Sequence, residues 1–127
     1  FVKETRPTVY AVVGDRTIDK KYIIDDYDIV IFKNEFNVFT GNKFTNDILK
    51  ILLPNTVVVY GVATDVCVDF AVKGLLKKGI TVIVIEDCIK GLSEDSCKIA
   101  LENWVKNGVI LTNILDLEKL VCIKNKS

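Results

Sequence analysis

A three-layer α/β/α fold with a mainly parallel sheet is predicted by two features of this sequence. Apolar, β-branched runs recur along the chain and are continuous rather than alternating, the mark of strands covered on both faces. Helical patterns fall between them, so that from Ile29 onward the order is strand, helix, strand, helix, strand, helix, strand. That alternation is what right-handed parallel crossovers require.

In chain order, Tyr10 to Val13 reads either as a strand or as part of a loop packed over the site; the stretch before Asp26 is the least regular part. Ile29 to Phe32 is the next strand. Phe44, Ile48, Leu49, Ile51 and Leu52 then recur at helical spacing before Pro54. Val57 to Val62 is a strand, followed by a helix through Val68, Ala71, Val72 and Leu75 that stops before Gly79. Ile80 to Ile85 follows as a strand. The last helix runs through Cys97, Ala100, Leu101, Trp104 and Val105. Ser93 is its N-cap, Glu94 and Asp95 stand in its first turn and Gly108 lies just past its end. Val109 to Thr112 closes the pattern as a strand. With no repeats and no linkers, residues 1–127 read as a single domain.

Composition narrows the function. The chain has 127 residues, half of them apolar, enough for a sizeable core. Lys plus Arg and Asp plus Glu number 17 each with no basic block, so neither nucleic acid nor an anionic membrane is an expected partner. A small molecule or another protein is expected instead. The longest apolar runs fall far short of the roughly 20 residues a spanning helix needs, and no signal peptide is visible. Cys67, Cys88, Cys97 and Cys122 lie in or beside strand and helix patterns, which suits reduced thiols in the cytoplasm better than a disulfide framework. The chain begins at Phe1 and contains no Met, so the expectation is that it is not the whole translated protein.

In an open parallel sheet, ligands bind at the carboxyl ends of the strands. Cys67 follows one strand and opens a helix, and Lys33 directly follows another. Backbone N–H groups, the positive end of a helix dipole and a nearby lysine all favour thiolate, and such surroundings lower a cysteine pKa from about 8.5 to roughly 3.5–7.5. The chain contains no histidine, so a Cys-His pair cannot be built from it. A bland reading stands beside each of these residues. A cysteine at such a junction is most often inert packing, and a lysine after a strand is most often a solvated loop residue. Asp65, Asp69 and Asp87 read as helix-start or turn acids, and Cys88, Cys97 and Cys122 as small hydrophobes. Phe36 and Phe39 either line a pocket or pack under their own loop.

Resemblance adds to this reading. G-V-A-T-D-V-C-V at 61–68, preceded by T-V-V-V-Y and followed by a helix and I-T-V-I-V-I-E-D, resembles the nucleophile region of the isochorismatase-like cysteine hydrolases, the superfamily that includes nicotinamidases. I-V-I-F-K-N-E-F-N-V-F at 29–39 is similar to that family's strand ending in a catalytic lysine, and I-E-D-C-I-K-G-L at 85–92 to its final β-α-β portion. The resemblance covers about residues 28–112 and implies a Rossmann-like fold. It also implies that Cys67 attacks an amide carbonyl, that Lys33 stabilises the thiolate, and that the N–H groups of Ala63 and Cys67 form an oxyanion hole. A cis peptide between Val62 and Ala63 is expected with it.

The sequence also departs from that pattern. The family's third catalytic residue, an Asp in a D-x-Q-x-D-F-like segment near the N-terminus, has no counterpart here, and the metal-binding histidines of nicotinamidases are absent. Neither Asp15 nor Asp28 is assigned in its place. The expectation is an N-terminally incomplete domain with no metal ligand or cofactor encoded in this chain, so that a divalent metal such as zinc could enter only through residues missing upstream. The expected function is cysteine hydrolysis of a small amide through a thioester, nicotinamide first among substrates. The alternatives are an isochorismatase-type vinyl-ether hydrolysis or a catalytically inactive interaction module. The expected partners are the amide substrate and further copies of the chain in a homo-oligomer.

Overall fold

The computed structural model of the protein describes residues 10–13 and 28–119, and its strands are all paired in parallel. The chain divides after Leu53 into two compact units.

In the first unit, β1 (Tyr10–Val13) pairs with β2 (Asp28–Ile31), Tyr10 opposite Asp28 and Val13 opposite Ile31. The run at Tyr10 is therefore a strand and not a covering loop. β2 stops one residue short of the apolar run because the Phe32 carbonyl accepts a hydrogen bond from the Asn42 side chain, at 2.8 Å. A short helix that the sequence does not announce, α1 (Val38–Gly41), starts where the Asn37 side chain accepts from Phe39 N–H. α2 (Thr45–Leu52) begins after Asn42 Oδ1 accepts from Phe44 N–H, and ends with Leu53 in the left-handed region at φ 47°. Pro54, which cannot continue a helix, follows. Ile48 of α2 is buried, with Ile29 and Ile31 of β2 and with Phe44 and Ile51 packed against it.

In the second unit the sheet order is β3 (Thr56–Val62), β4 (Thr81–Lys90), β5 (Ile110–Thr112). A single turn at Thr64–Val68 and helix α3 (Asp69–Lys77) connect β3 to β4, and α4 (Glu94–Lys106) connects β4 to β5. The core is the central strand and the helices beside it. Val82, Ile83, Val84 and Ile85 are buried in succession, as the continuous apolar run requires, and Val68, Val72, Leu75, Ala100, Trp104 and Val109 complete it. Each fully buried valine here contributes about 1.5–3 kcal/mol relative to exposure. Ser93 caps α4 as its position before two acids suggests, its hydroxyl accepting from Ser96 N–H.

β4 runs five residues beyond the apolar stretch. Val59 lies opposite Val84 but Gly61 lies opposite Ile89, so β4 bulges between the two pairings and then rejoins β3 at Gly61 and Val62. Gly61 carries this register shift with φ at +122°, a conformation side chains rarely tolerate. Asp87 consequently sits inside a strand rather than at a turn or helix start, which corrects the sequence reading. Its carboxylate accepts from Ile114 N–H at 3.4 Å.

Candidate active site

Cys67 stands where β3 hands over to α3. The peptide joining Val62 to Ala63 is cis. The Ala63 carbonyl then accepts from both Val66 N–H (3.1 Å) and Val68 N–H (3.0 Å), and the second bond, five residues on, winds Thr64–Val68 into one π-helical turn. Such turns are rare and occur often at functional sites. Thr64 and Val68 are buried and fix the inner side of the turn, while Cys67 is half-buried on it. Cys67, Cys88 and Cys97 are thiols. Cys88 lies in β4 and Cys97 in α4, both half-buried. Cys122 and Asp15 lie outside the described residues.

The turn is tied to the junction between β4 and α4. Asp65 accepts from Leu92 N–H at 3.0 Å and from Ser93 N–H at 3.3 Å. The Leu92 N–H, with the Ser93 N–H adding to it, holds the Asp65 carboxyl below the usual carboxylate range. Gly91 makes the approach possible, because a Cβ there would collide with the Cys97 sulfur and come within 3.0 Å of Asp65 Oδ1. Two residues past Cys67, Asp69 accepts from the indole N–H of buried Trp104 at 2.7 Å and pairs with Lys73. Val62 and Leu92 present exposed apolar side chains at the carboxyl ends of the strands beside this turn.

Lys33 lies in the first unit, two residues past β2. Its ammonium donates to the carbonyls of Glu35 (3.0 Å) and Phe36 (3.1 Å), which curls the loop around it. Gly41 packs against that loop, where an added Cβ would lie 2.9 Å from Lys33 Cβ, and Thr40 donates its hydroxyl to Glu35. An open cleft of about 490 Å³ is lined by Phe32, Lys33, Asn34 and residues 40–43. Neither Phe36, which is largely exposed, nor Phe39, half-buried on α1, lines it. Asp28 opens β2 at an exposed position.

Sequence reading places the thiol and the ammonium at strand ends but misses what Asp65 does. Nothing in local periodicity points to partners 27 and 28 residues away. The chain has no histidine, and among the described residues there is no group of three His, Cys, Asp or Glu that could hold an ion. Nor is any helix among them long and apolar enough to cross a membrane.

Parallel β-α-β units with a cysteine-bearing turn after β3 make an α/β architecture, and comparison with known families says which one. Residues 10–115 match the isochorismatase domain, and the chain belongs to the isochorismatase family. No curated protein matches the chain. Among solved structures, the chain is similar to the pyrazinamidase of Pyrococcus horikoshii in complex with zinc, with 26% identity, a TM-score of 0.61, and 71% of this chain and 52% of that one covered. It is similar also to the nicotinamidase and pyrazinamidase of Acinetobacter baumanii, with 25% identity, a TM-score of 0.62, and 72% and 50% covered. The nicotinamidase of Bacillus subtilis shares the fold at 12% identity and a TM-score of 0.63, with 82% and 74% covered. The chain spans about half the length of the first two.

Proposed function

We propose that the protein is a cysteine hydrolase of small amides, with nicotinamide the first substrate to test. The observation that carries the reading is the placement of Cys67 on a single π-helical turn at the carboxyl end of β3 and the head of α3, in a chain of the isochorismatase family. The nicotinamidases and pyrazinamidases among its structural neighbours support the amide class.

In this reading the Cys67 sulfur attacks the amide carbonyl. The N–H groups of Ala63 and Cys67 stabilise the oxyanion, each such donor being worth roughly 2.7–4 kcal/mol in the transition state. The carbon–nitrogen bond then breaks, ammonia leaves with the proton given up by the thiol, and water hydrolyses the thioester to the acid and regenerates the thiol. Lys33 is proposed as the ammonium that favours thiolate, a role carried by its motif.

The test is ammonia release from nicotinamide and pyrazinamide by the full-length protein and its Cys67→Ala variant. Turnover that disappears with the sulfur supports the reading. Turnover of isochorismate instead would move the protein to the vinyl-ether hydrolysis for which the family is named, and inactivity on all three would favour an interaction module.

A further inference from the structure

Cys67 is flanked two residues before and two residues after by acids that both bond to the segment after β4. Asp65 receives the backbone N–H groups of Leu92 and Ser93, at the start of α4, and Asp69 receives the indole N–H of Trp104, near the end of that helix. The π-helical turn between them is thus pinned to one helix at both ends. Asp65 is the more telling of the two. Asp69 pairs with Lys73 and occupies the first turn of its own helix, both ordinary reasons for an acid there. Asp65 has no ion-pair partner among the described residues, and its two acceptor bonds reach across 27 and 28 residues to backbone amides.

We propose that Asp65 is a positioning residue for the nucleophile: its carboxylate clamps the Leu92 and Ser93 amides and so fixes the turn on which Cys67 is presented. The inference rests on the reading of Cys67 as nucleophile. Three further facts support the clamp. The amides it receives, Leu92 first, hold the carboxyl below the usual carboxylate range. Ser93 is at once a donor to Asp65 and the N-cap of α4, so the same contact seats the helix. The strand-to-helix junction approaches closely only because residue 91 has no side chain. With Asp65 gone, the two amides turn to water and the turn loses its outer anchor, while buried Thr64 and Val68 keep its inner one.

The charge and the clamp act on Cys67 in opposite directions, which makes them separable. A negative group near a thiol disfavours thiolate, so loss of the charge alone would speed alkylation at neutral pH. Loss of positioning, which takes the thiol out of register with the N–H groups at the head of α3, would slow it. The experiment is the rate of iodoacetamide alkylation of Cys67 against pH in the full-length protein, read by peptide mass spectrometry with Cys88 as internal reference, for wild type, Asp65→Ala and Asp65→Asn. The expected result is a Cys67 rate lower by about fivefold or more in Asp65→Ala at neutral pH, with the Cys88 rate unmoved. Asp65→Asn keeps a carbonyl oxygen for Leu92 N–H and should return the Cys67 rate to within about twofold of wild type. A faster or unchanged rate in Asp65→Ala would overturn the proposal, as would equal slowing in both variants, because Asp65→Asn keeps the acceptor oxygen and the clamp would then not be what sets the rate. Undiminished ammonia release by Cys67→Ala protein would sink the nucleophile reading itself, whatever these rates show.

Discussion

The indole N–H of Trp104 donates to Asp69 Oδ1 at 2.7 Å, joining α4 to the first turn of α3. Trp104 is almost fully buried, so this N–H has no recourse to water if its acceptor is removed. Asp69 also pairs with Lys73, but that lysine is half exposed and the pair sits on a helix surface. Asp69→Ala should therefore destabilise the protein by about 1–3 kcal/mol, the penalty for an orphaned buried donor. Lys73→Ala should lose only about 0.3–0.5 kcal/mol. Urea unfolding followed by Trp104 fluorescence checks the ranking, and equal losses would show that the indole bond contributes little.

Gly91 offers a second test. Gly91→Ala places a methyl group against the Cys97 sulfur and close to Asp65 Oδ1, and overpacking of this kind typically destabilises by about 1–3 kcal/mol. Because the tightest contact is with a side chain, Cys97→Ala should recover part of the loss in the double variant. Additive losses would mean that the backbone, and not the sulfur, sets the limit.

The Asp65 clamp has a pH signature with a definite sign. The folded-state pKa lies below its ordinary value because the Leu92 and Ser93 amides favour the charged form. Its stabilising contribution is then complete above the unfolded value of about 3.9 and is lost as pH falls through the folded value. The stability difference between wild type and Asp65→Asn should be level from about pH 5 to 8 and shrink below about pH 4. A difference that instead grew on acidification would contradict the bonding seen at this carboxylate.

Much of this arrangement is legible in the sequence, and the exceptions have physical causes. The four apolar runs from Ile29 onward are all strands, but only that of β4 is buried in succession, whereas β3 leaves Val58, Tyr60 and Val62 exposed, so continuous apolarity marks the strands without meaning that both faces are covered. Ser93, followed by two acids, marks the start of α4 through backbone chemistry that is local. β4 extends past Ile85 through Glu86 and Asp87 because it pairs again with Gly61 and Val62 after a bulge, a decision made by its neighbour and invisible in its own composition. The helix at Val38–Gly41 is too short to show periodicity and is started by the Asn37 side chain and carbonyl. The π-helical turn is set by one bond to the Ala63 carbonyl, and no spacing of apolar residues records it. Cys67 and Lys33 are singled out by the family-like motifs that hold them, whereas the anchoring role of Asp65 depends on amides nearly thirty residues away.

Lys33 is testable through its effect on the thiol. Lys33→Met removes the ammonium and, under the proposed role of Lys33, should slow iodoacetamide labelling of Cys67 near neutral pH. Because the ammonium also holds the Glu35 and Phe36 carbonyls, Lys33→Arg serves as a control that keeps a cationic donor in the loop. Identical labelling rates and pH profiles in all three proteins would remove Lys33 from the proposed chemistry.

The central claim is that Cys67 carries the acyl group during hydrolysis. Full-length protein mixed with nicotinamide, quenched in acid during turnover and digested, should yield the Cys67 peptide bearing one nicotinoyl group in thioester linkage, while the Cys88 and Cys97 peptides remain unmodified. Turnover that proceeds with the acyl group on another residue, or that persists undiminished in Cys67→Ala, would contradict the account.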